Sequence, residues 1–388
     1  SFEPVATQPK PTLEPEPEPE AEPVAASVVA FVPPVLPREE APALEVEPEP
    51  LVQVPEPVAV QAIPASPAPE AMPEPAAMPQ AAEPGAGNPR TAEMKGIILA
   101  GGTGSRLFPV TRAVSKHLLP VYDKPMIYYP LSLLMLAGIR DVLVICRPDD
   151  LAIYRTLLGD GRGWGLRFSY AAQENAGGLP QAFTIGREFI AGKPCALVLG
   201  DNILYGHQLS ELLQRAAASR RGATILTYKT TSPERYGILV RDKTGRPSAI
   251  IEKPKTWVSD QAVIGLYFFD ERVVAYSEKL KPSARGEVEI TDLIRIYLEQ
   301  DNLDVVPIGR GYAWFDSGTH DSLLQAATFV QAIEERQGLK IACPEEIAYR
   351  MGFIGREEFE QCIAHTPGSS YDAYLKRLSR DIAGGEFE

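Results

Sequence analysis

A glycine-rich loop followed by two cationic residues is the part of this sequence that most directly suggests chemistry. Glycines allow backbone N–H groups to approach phosphate oxygens without a clash from a Cβ atom. Arg106 adds a planar set of donors suited to a departing pyrophosphate, and Lys116 adds a point charge. We therefore predict a site at which a triphosphate is cut between its α and β phosphates. Its candidate residues are Gly101, Gly102, Gly104, Ser105, Arg106 and Lys116.

The spacing within this loop excludes two common phosphate-binding motifs. A Walker loop requires GxxxxGK[ST], and no lysine follows these glycines at that spacing. A dinucleotide fingerprint requires GxGxxG, and Leu107 stands in place of its third glycine. A simple tight turn is the remaining alternative, but it gives no reason for Arg106, Thr111 and Lys116 in one stretch.

Two aspartates are candidates for a metal site. Asp201 ends the apolar run CALVLGD, and Asp316 lies much further along the chain in YAWFDSGTH. Ligands gather at the carboxyl ends of parallel strands. Two carboxylates together with a triphosphate suit Mg²⁺, which keeps several waters and takes few protein ligands. A strand-end aspartate can also cap a turn or a helix, so the residues alone leave both interpretations open.

The elements that must position these residues alternate between apolar strands and helices from residue 94 onward. This alternation is typical of a parallel sheet covered on both faces, and we predict an α/β fold with a Rossmann-like, mostly parallel sheet. A strand-rich stretch at 223–270 precedes further helices at 289–300 and 321–338. The predicted strands of the first part are 96–100, 141–146, 166–170 and 195–201, and its helices are 124–138, 151–159 and 178–190.

Residues 1–93 differ in composition from the rest of the chain. They are rich in Pro, Glu, Ala and Val, and their sixteen acidic and three basic residues account for the whole net charge of −13. Such a segment cannot bury enough apolar surface to offset its ordering entropy. We predict a disordered extension at 1–93, which either tethers an upstream domain or an unknown partner or is inert. A catalytic domain at 94–340 and a C-terminal helical segment at 341–388 follow it.

The remaining composition bears on partners and location. The near-neutral chain after residue 93 gives no support for nucleic-acid binding, which favours a basic face. No apolar run approaches the roughly 20 residues that a membrane span needs, and no signal peptide is visible. The four cysteines are not spaced as zinc ligands and are expected to be reduced. We expect a cytoplasmic protein.

Long stretches of the sequence resemble the nucleotidylyltransferases that activate sugar 1-phosphates. The segments LLPVYDKPMIYYPLS, ALVLGDNILYGH, LKPSARGEVEITDL and GRGYAWFDSGTH are similar to those of the glucose-1-phosphate thymidylyltransferase family. The resemblance covers residues 94 to about 376. It implies a nucleotidyltransferase fold and transfer of a thymidylyl group from dTTP to glucose 1-phosphate, giving dTDP-glucose and pyrophosphate. This is the first step of dTDP-rhamnose synthesis. The resemblance also implies a homotetramer that is inhibited by dTDP-rhamnose.

The resemblance assigns roles to residues at matching positions. Asp201 and Asp316 would bind the catalytic Mg²⁺, and Lys253 would hold the sugar phosphate. The candidates for contact with thymine are Gln173 and Gly178. The candidates for the sugar side are Asn202, Gly237, Glu252, Lys253, Val263 and Arg285. The candidates for a regulatory nucleotide-sugar site are Glu346, Ile347 and Arg350.

Glu252 and Lys253 are neighbours, so both reach one ligand only if their strand bends, and Pro254 favours a bend. The spacer ENAG after Gln173, with Pro180 beyond it, departs from the family pattern and leaves UTP as an alternative to dTTP. A hypothesis from another class makes the acidic extension the active part of an interaction protein, with the enzyme core retained as a scaffold.

Overall fold

The computed structural model describes residues 93–219, 221–364 and 368–384. The predicted disordered extension at 1–93 lies outside these residues except for Glu93. The strands of the described part are β1 Lys95–Ala100, β2 Pro120–Val121, β3 Lys124–Pro125, β4 Asp141–Cys146, β5 Arg167–Ala172, β6 Cys195–Leu199, β7 Asn202–Gly206, β8 Ala223–Lys229, β9 Gly237–Arg241, β10 Pro247–Glu252, β11 Gln261–Phe269, β12 Leu303–Ile308 and β13 Tyr312–Asp316.

The helices of the described part cover both faces of the sheet and form the C-terminal end. They are α1 Tyr128–Leu136, α2 Leu151–Leu158, α3 Gln181–Ile185, α4 Arg187–Ile190, α5 Leu209–Ala218, α6 Val273–Ser277, α7 Ile290–Glu299, α8 His320–Gln337, α9 Pro344–Arg350, α10 Arg356–Ile363 and α11 Ser370–Gly384. None of the helices within the described ranges is both long and apolar enough to cross a membrane.

One half of the central sheet is parallel. Strands β5, β4, β1 and β6 lie side by side in that order, and each neighbouring pair runs in the same direction. Strands β1, β4 and β6 are nearly continuous apolar runs because helices cover both of their faces. Their carboxyl ends share one edge of the sheet, so the loop at Gly101 and Asp201 both leave from that edge.

The other half of the sheet is built around β11, which runs antiparallel to β6, β8 and β9, while β12 pairs with β8 in parallel. Strand β11 pairs with β9 through Gln261 and Ala262 and with β6 through the stretch from Leu266 to Phe269. The residues between these two stretches form no ladder with either partner. The sheet is therefore open beside Val263 and Gly265, and the candidate site lies at this opening.

The core is divided among three groups of buried residues. One group fills the face covered by α1 and includes Leu131, Ile347 of α9 and Phe359 of α10, so the C-terminal helices pack against the same core as the parallel sheet. A second group fills the opposite face around Phe183 and Tyr297. The third lies between the β2–β3 hairpin and α8.

The predicted α/β fold is confirmed, with differences in detail. The helix predicted at 124–138 begins only at Tyr128, because Lys124–Pro125 pairs with Pro120–Val121 as a short hairpin. The helix predicted at 178–190 is two short helices with a break at Gly186. The sequence analysis missed β7, β12 and β13, and the β7–β13 pair carries part of the candidate site.

Candidate active site

A cleft with a cavity volume of about 410 Å³ opens at the carboxyl edge of the parallel strands. The glycine-rich loop at 101–106 is called the phosphate loop below. Residues from this loop, from β6 and β7, from β9 to β11 and from β13 line the cleft. The structure therefore brings together predicted residues that are far apart in the sequence. The predicted residues that line the cleft are Arg106, Asp201, Asn202, Gly237, Glu252, Lys253, Val263, Arg285 and Asp316.

The phosphate loop is held in a tight conformation beside this cleft. Gly104 has φ +64°, in the left-handed region that favours glycine, and its carbonyl accepts a hydrogen bond of 2.8 Å from Thr111 Oγ1. Ser105 opens a 3₁₀ turn that ends at Leu107. A Cβ atom at Gly102 would lie 3.8 Å from the Lys116 side chain. The Lys116 side chain therefore lies next to the backbone of this loop.

Lys116 forms an ion pair with Asp201 at the end of β6. The Nζ–Oδ2 distance is 2.5 Å, and both side chains are more than four-fifths buried. Burial favours the protonated acid, but the charges of Lys116 and other neighbours outweigh it and lower the pKa of Asp201 to about 2. Asp201 is therefore an anion at any physiological pH.

Asn202 connects Asp201 to β11 and β13 through hydrogen bonds. Its Nδ2 donates to Asp201 Oδ1 at 3.1 Å. Its Oδ1 accepts from Trp314 Nε1 at 2.7 Å and from the Gly265 backbone at 3.1 Å. Asn202 is buried, and these contacts leave its Nδ2 with a second hydrogen for a ligand. Trp314, which the sequence analysis did not single out, fixes the orientation of this amide.

Asp316 also lines the cleft and is paired with Arg235. Arg235 Nη2 donates to Asp316 Oδ1 at 3.1 Å and to Oδ2 at 2.8 Å. Burial raises the pKa of Asp316 above its usual range, Arg235 opposes this, and the nearby Asp201 adds to it. A Cβ atom at Gly318 would lie 2.8 Å from Arg106 Nη2, so the Arg106 guanidinium lies against the backbone that follows Asp316.

The carboxylates of Asp201 and Asp316 have the chemistry that a magnesium ion requires. The two carboxylates supply the hard oxygen donors that Mg²⁺ prefers, and the Ser317 backbone N–H donates to the Asp201 carbonyl at 3.0 Å, which ties the two segments together. Within the described ranges, no group of three or more Asp, Glu, His or Cys residues is arranged around a metal position. Two protein ligands are enough when phosphate oxygens and water complete the set.

Glu252, Lys253 and Arg285, which the resemblance assigns to the sugar, lie together in the cleft. Lys253 has φ +42°, so the chain bends after β10, as the sequence analysis expected. Both Lys253 Nζ and Arg285 Nη1 approach Glu252 Oε1, at 3.5 and 3.4 Å. Burial raises the pKa of Glu252, opposed by these two cations. A Cβ atom at Gly237 would lie 3.3 Å from Glu252 Oε2, so glycine keeps this carboxylate accessible.

Gln173 and Gly178 lie beside the cleft instead of lining it. A Cβ atom at Gly101 would come within 2.1 Å of Gln173 Oε1, so the Gln173 amide packs on the start of the phosphate loop. Gln173 Nε2 donates to Gln181 Oε1 at 2.7 Å, a contact that the sequence analysis did not foresee. Gly178 has φ +112° and pairs with Val288, which joins this loop to the segment that carries Arg285.

The three candidates for a regulatory site occupy α9. Glu346 and Ile347 are buried. Glu346 Oε1 accepts from Arg350 Nε at 2.8 Å, and Glu346 Oε2 accepts from Tyr374 OH at 2.5 Å. These contacts hold α9 against α11, so within this chain Glu346 serves the packing of the helical segment.

The fold and the cleft define the class of protein. An open α/β sheet has a glycine-rich phosphate loop, two carboxylates and several cations at the carboxyl edge of its strands, which is the arrangement of a nucleotide-dependent transferase. The nucleotidyl transferase family model matches residues 95–333 of the chain.

Comparison with individual proteins narrows this class. The chain is 54% identical over 288 residues to the glucose-1-phosphate thymidylyltransferase of Xanthomonas campestris pv. campestris, an alignment that covers 74% of this chain and 98% of the relative. It is 55% identical over 285 residues to that of Neisseria meningitidis, covering 74% and 99%. The chain therefore belongs to the nucleotidyl transferase family and, within it, to the glucose-1-phosphate thymidylyltransferases.

Solved structures agree with this membership. A Bacillus anthracis protein described as a glucose-1-phosphate thymidylyltransferase, in complex with sucrose, is 38% identical and has a TM-score of 0.57, covering 61% of this chain and 94% of that one. A UDP-glucose pyrophosphorylase in complex with UDP-glucose is 22% identical with a TM-score of 0.55, which shows the shared fold.

Proposed function

We propose that the cleft transfers a thymidylyl group from dTTP to glucose 1-phosphate and releases dTDP-glucose and pyrophosphate, the first step of dTDP-rhamnose synthesis. The observation that carries this proposal is the cleft itself. Arg106 and the Lys116–Asp201 pair stand on its phosphate-loop side, and Lys253, Glu252 and Arg285 stand on its sugar side. Such a cleft offers cationic groups to a triphosphate on one side and to a sugar phosphate on the other.

The reaction follows from these positions. An oxygen of glucose 1-phosphate attacks the α-phosphorus of dTTP in line with the departing pyrophosphate. Lys253 holds the attacking phosphate, and Arg106 and Lys116 stabilise charge on the leaving group. A phosphate nucleophile is ionised near neutral pH, so the chain needs no general base. Asp201 and Asp316 would hold Mg²⁺, which supplies neutralisation of phosphate charge when bound.

Gln173 is proposed to contact the base through its amide. Its position on Gly101 places it next to the phosphate loop, and Gln181 fixes its orientation. Asn202, Gly237 and Val263 surround the sugar. The altered spacer after Gln173 makes UTP the second candidate substrate.

Pyrophosphate release with glucose 1-phosphate and Mg²⁺ tests the proposal, with dTTP, UTP, ATP, CTP and GTP compared side by side. Strong preference for dTTP supports it. Equal or better use of UTP would reassign the nucleotide while keeping the reaction. Release with none of the five would remove the proposed activity and favour the scaffold hypothesis.

We also propose a homotetramer in the cytoplasm with dTDP-rhamnose as feedback inhibitor. The family membership supports the assembly, and the four free cysteines support a reducing compartment.

We assign residues 94–340 to the catalytic domain and 341–388 to the helical segment, because the cleft lies within the first. Deleting residues 1–93 tests the tether: unchanged kinetics and assembly would place the role of this segment outside the reaction.

A further inference from the structure

Both carboxylates proposed to bind magnesium are paired with cations of the chain itself. Lys116 Nζ contacts Asp201 Oδ2 at 2.5 Å, and Arg235 Nη2 contacts both carboxylate oxygens of Asp316. A divalent cation and a guanidinium repel one another when they share one carboxylate. Metal binding to Asp316 and pairing with Arg235 therefore oppose each other.

The surroundings of the two cations differ. Lys116 is 12% exposed and is enclosed by the phosphate loop. Arg235 is 38% exposed and ends the short 3₁₀ turn Pro233–Arg235 at the rim of the cleft. Its guanidinium lies 5.3 Å from the centre of the Tyr236 ring, and Tyr236 packs on Trp314 at 4.9 Å. Arg235 therefore has an aromatic surface beneath it and solvent beside it, so its side chain has room to turn away from Asp316.

The Arg235 guanidinium is also suited to binding the phosphate groups of the substrates. A triphosphate and a sugar phosphate together bring several negative charges, and guanidinium binds phosphate oxygens through two parallel hydrogen bonds. In the sequence PERYGILV, Arg235 and Tyr236 suggest only residues that shape a turn. In the structure the backbone of Arg235 closes that turn, with its N–H donating to the Ser232 carbonyl at 3.2 Å, and this leaves the guanidinium for another role.

We propose that Arg235 is a phosphate-binding residue of the reaction and that, before substrate binds, it occupies the carboxylate of Asp316 in competition with the metal. This proposal rests on the proposed function. When the nucleotide enters with its metal, Arg235 transfers from Asp316 to phosphate oxygens. In the empty cleft the charge of Arg235 balances that of Asp316. In the loaded cleft the metal balances Asp316 and Arg235 balances phosphate.

The test compares three variants of the full chain. Arg235→Gln removes the charge and keeps hydrogen-bonding capacity, and Arg235→Lys keeps the charge but loses the planar pair of donors. Arg241→Gln is the matched control, because Arg241 lies at the far end of β9, outside the lining of the cleft, and its Nη1 donates to the nearby Gly245 carbonyl at 2.9 Å. Two quantities are measured for each: Mn²⁺ affinity without nucleotide by isothermal calorimetry, and kcat/KM with Mg²⁺, dTTP and glucose 1-phosphate.

The proposal predicts opposite changes in the two quantities. Arg235→Gln should bind Mn²⁺ about three- to tenfold more tightly and lose about tenfold or more in kcat/KM. Arg235→Lys should keep wild-type Mn²⁺ affinity with an intermediate loss in kcat/KM, and Arg241→Gln should change neither. Mn²⁺ affinity of Arg235→Gln that is unchanged or weaker overturns the competition. Wild-type kcat/KM in that variant overturns the phosphate role.

The wild-type protein separates this proposal from the proposed function. If wild type does not turn over dTTP with glucose 1-phosphate, the proposed function fails and the phosphate role fails with it. If wild type is active, the variants alone decide the role of Arg235. Thermal unfolding within a few degrees of wild type for each variant ensures that a loss of activity is not a loss of fold.

Discussion

Asp316 lies directly opposite Asn202 in the antiparallel pair of β7 and β13. Directly opposed residues in such a pair have Cβ atoms roughly 5 Å apart, so Asp316 is held next to the segment that begins with Asp201. This single register explains how two carboxylates from distant parts of the chain reach one cleft. A shift by one residue would turn Asp316 to the other face of the ribbon.

Asp201→Asn should reduce turnover about 10³-fold, because the amide supplies no charge for a metal or for Lys116. The core should remain folded, since Asp201 lies at the edge of the sheet, with a cost of about 1–3 kcal/mol for the unpaired Lys116. Steady-state kinetics at saturating Mg²⁺ and thermal unfolding measure the two effects. Asp149→Asn, at an exposed position, is the control. Near-normal turnover by Asp201→Asn would remove Asp201 from the reaction.

Gly265→Ala should impair the site through Asn202. A Cβ atom at Gly265 would lie 2.7–2.8 Å from the Asn202 amide atoms, so the amide must move and its contacts with Asp201 and Trp314 weaken. We expect kcat to fall about tenfold and stability to fall by about 1–3 kcal/mol. Gly309→Ala is the matched control, because a Cβ there meets no atom within 4 Å. Equal kinetics of the two variants would contradict the positioning role of Asn202.

The parallel half of the sheet was predictable because its signal is local. Each of β1, β4 and β6 is a short apolar run, and the glycines and Arg106 follow the first of them directly. The positions of Asp201 and of the phosphate loop follow from the rule that parallel strands end at one edge. These strands and the two positions at their ends could be predicted without knowing any contact between distant residues.

Strand β13 and the contacts of Arg235 and Trp314 were not predicted, because they depend on distant segments of the chain. β13 is partly exposed along its whole length, so its sequence YAWFD carries no clear alternation. The contacts of Arg235 with Asp316 and of Trp314 with Asn202 join residues that are 81 and 112 positions apart. No local pattern marks either pair, so neither contact is predictable from the sequence.

Gln173→Ala should raise KM for dTTP and for UTP by similar factors. Thymine and uracil present the same O4 and N3–H groups, so an amide that contacts this edge does not distinguish them. We expect about a tenfold increase for each, the value of one or two lost hydrogen bonds, and a smaller preference over CTP. Gln331→Ala on the exposed face of α8 is the control. An effect on dTTP alone would show that Gln173 acts through the shape of its loop.

His117 lies between Lys116 and the core and is almost fully buried. Its Nδ1 is 3.3 Å from Ser115 Oγ, which is in turn 3.0 Å from Tyr154 OH. Burial, Lys116 and Arg147 together lower the pKa of His117 to about 3, and Asp201 opposes them. The imidazole is therefore neutral in the folded chain at every pH at which the enzyme would work.

This lowered pKa predicts how stability depends on pH. In the unfolded chain His117 takes up a proton below about pH 6.5, whereas in the folded chain it does so only near pH 3. Its contribution to stability is thus complete above pH 6.5 and is lost as the pH falls toward 3, at up to about 1.4 kcal/mol per pH unit. His117→Gln, which does not titrate, should therefore lose less stability than wild type between pH 7.5 and pH 4.5. Urea unfolding of both proteins at several pH values measures this, with the difference at pH 7.5 reporting the packing effect of the substitution. Parallel loss of stability in the two proteins would show that His117 takes up its proton in the folded chain as readily as in the unfolded one.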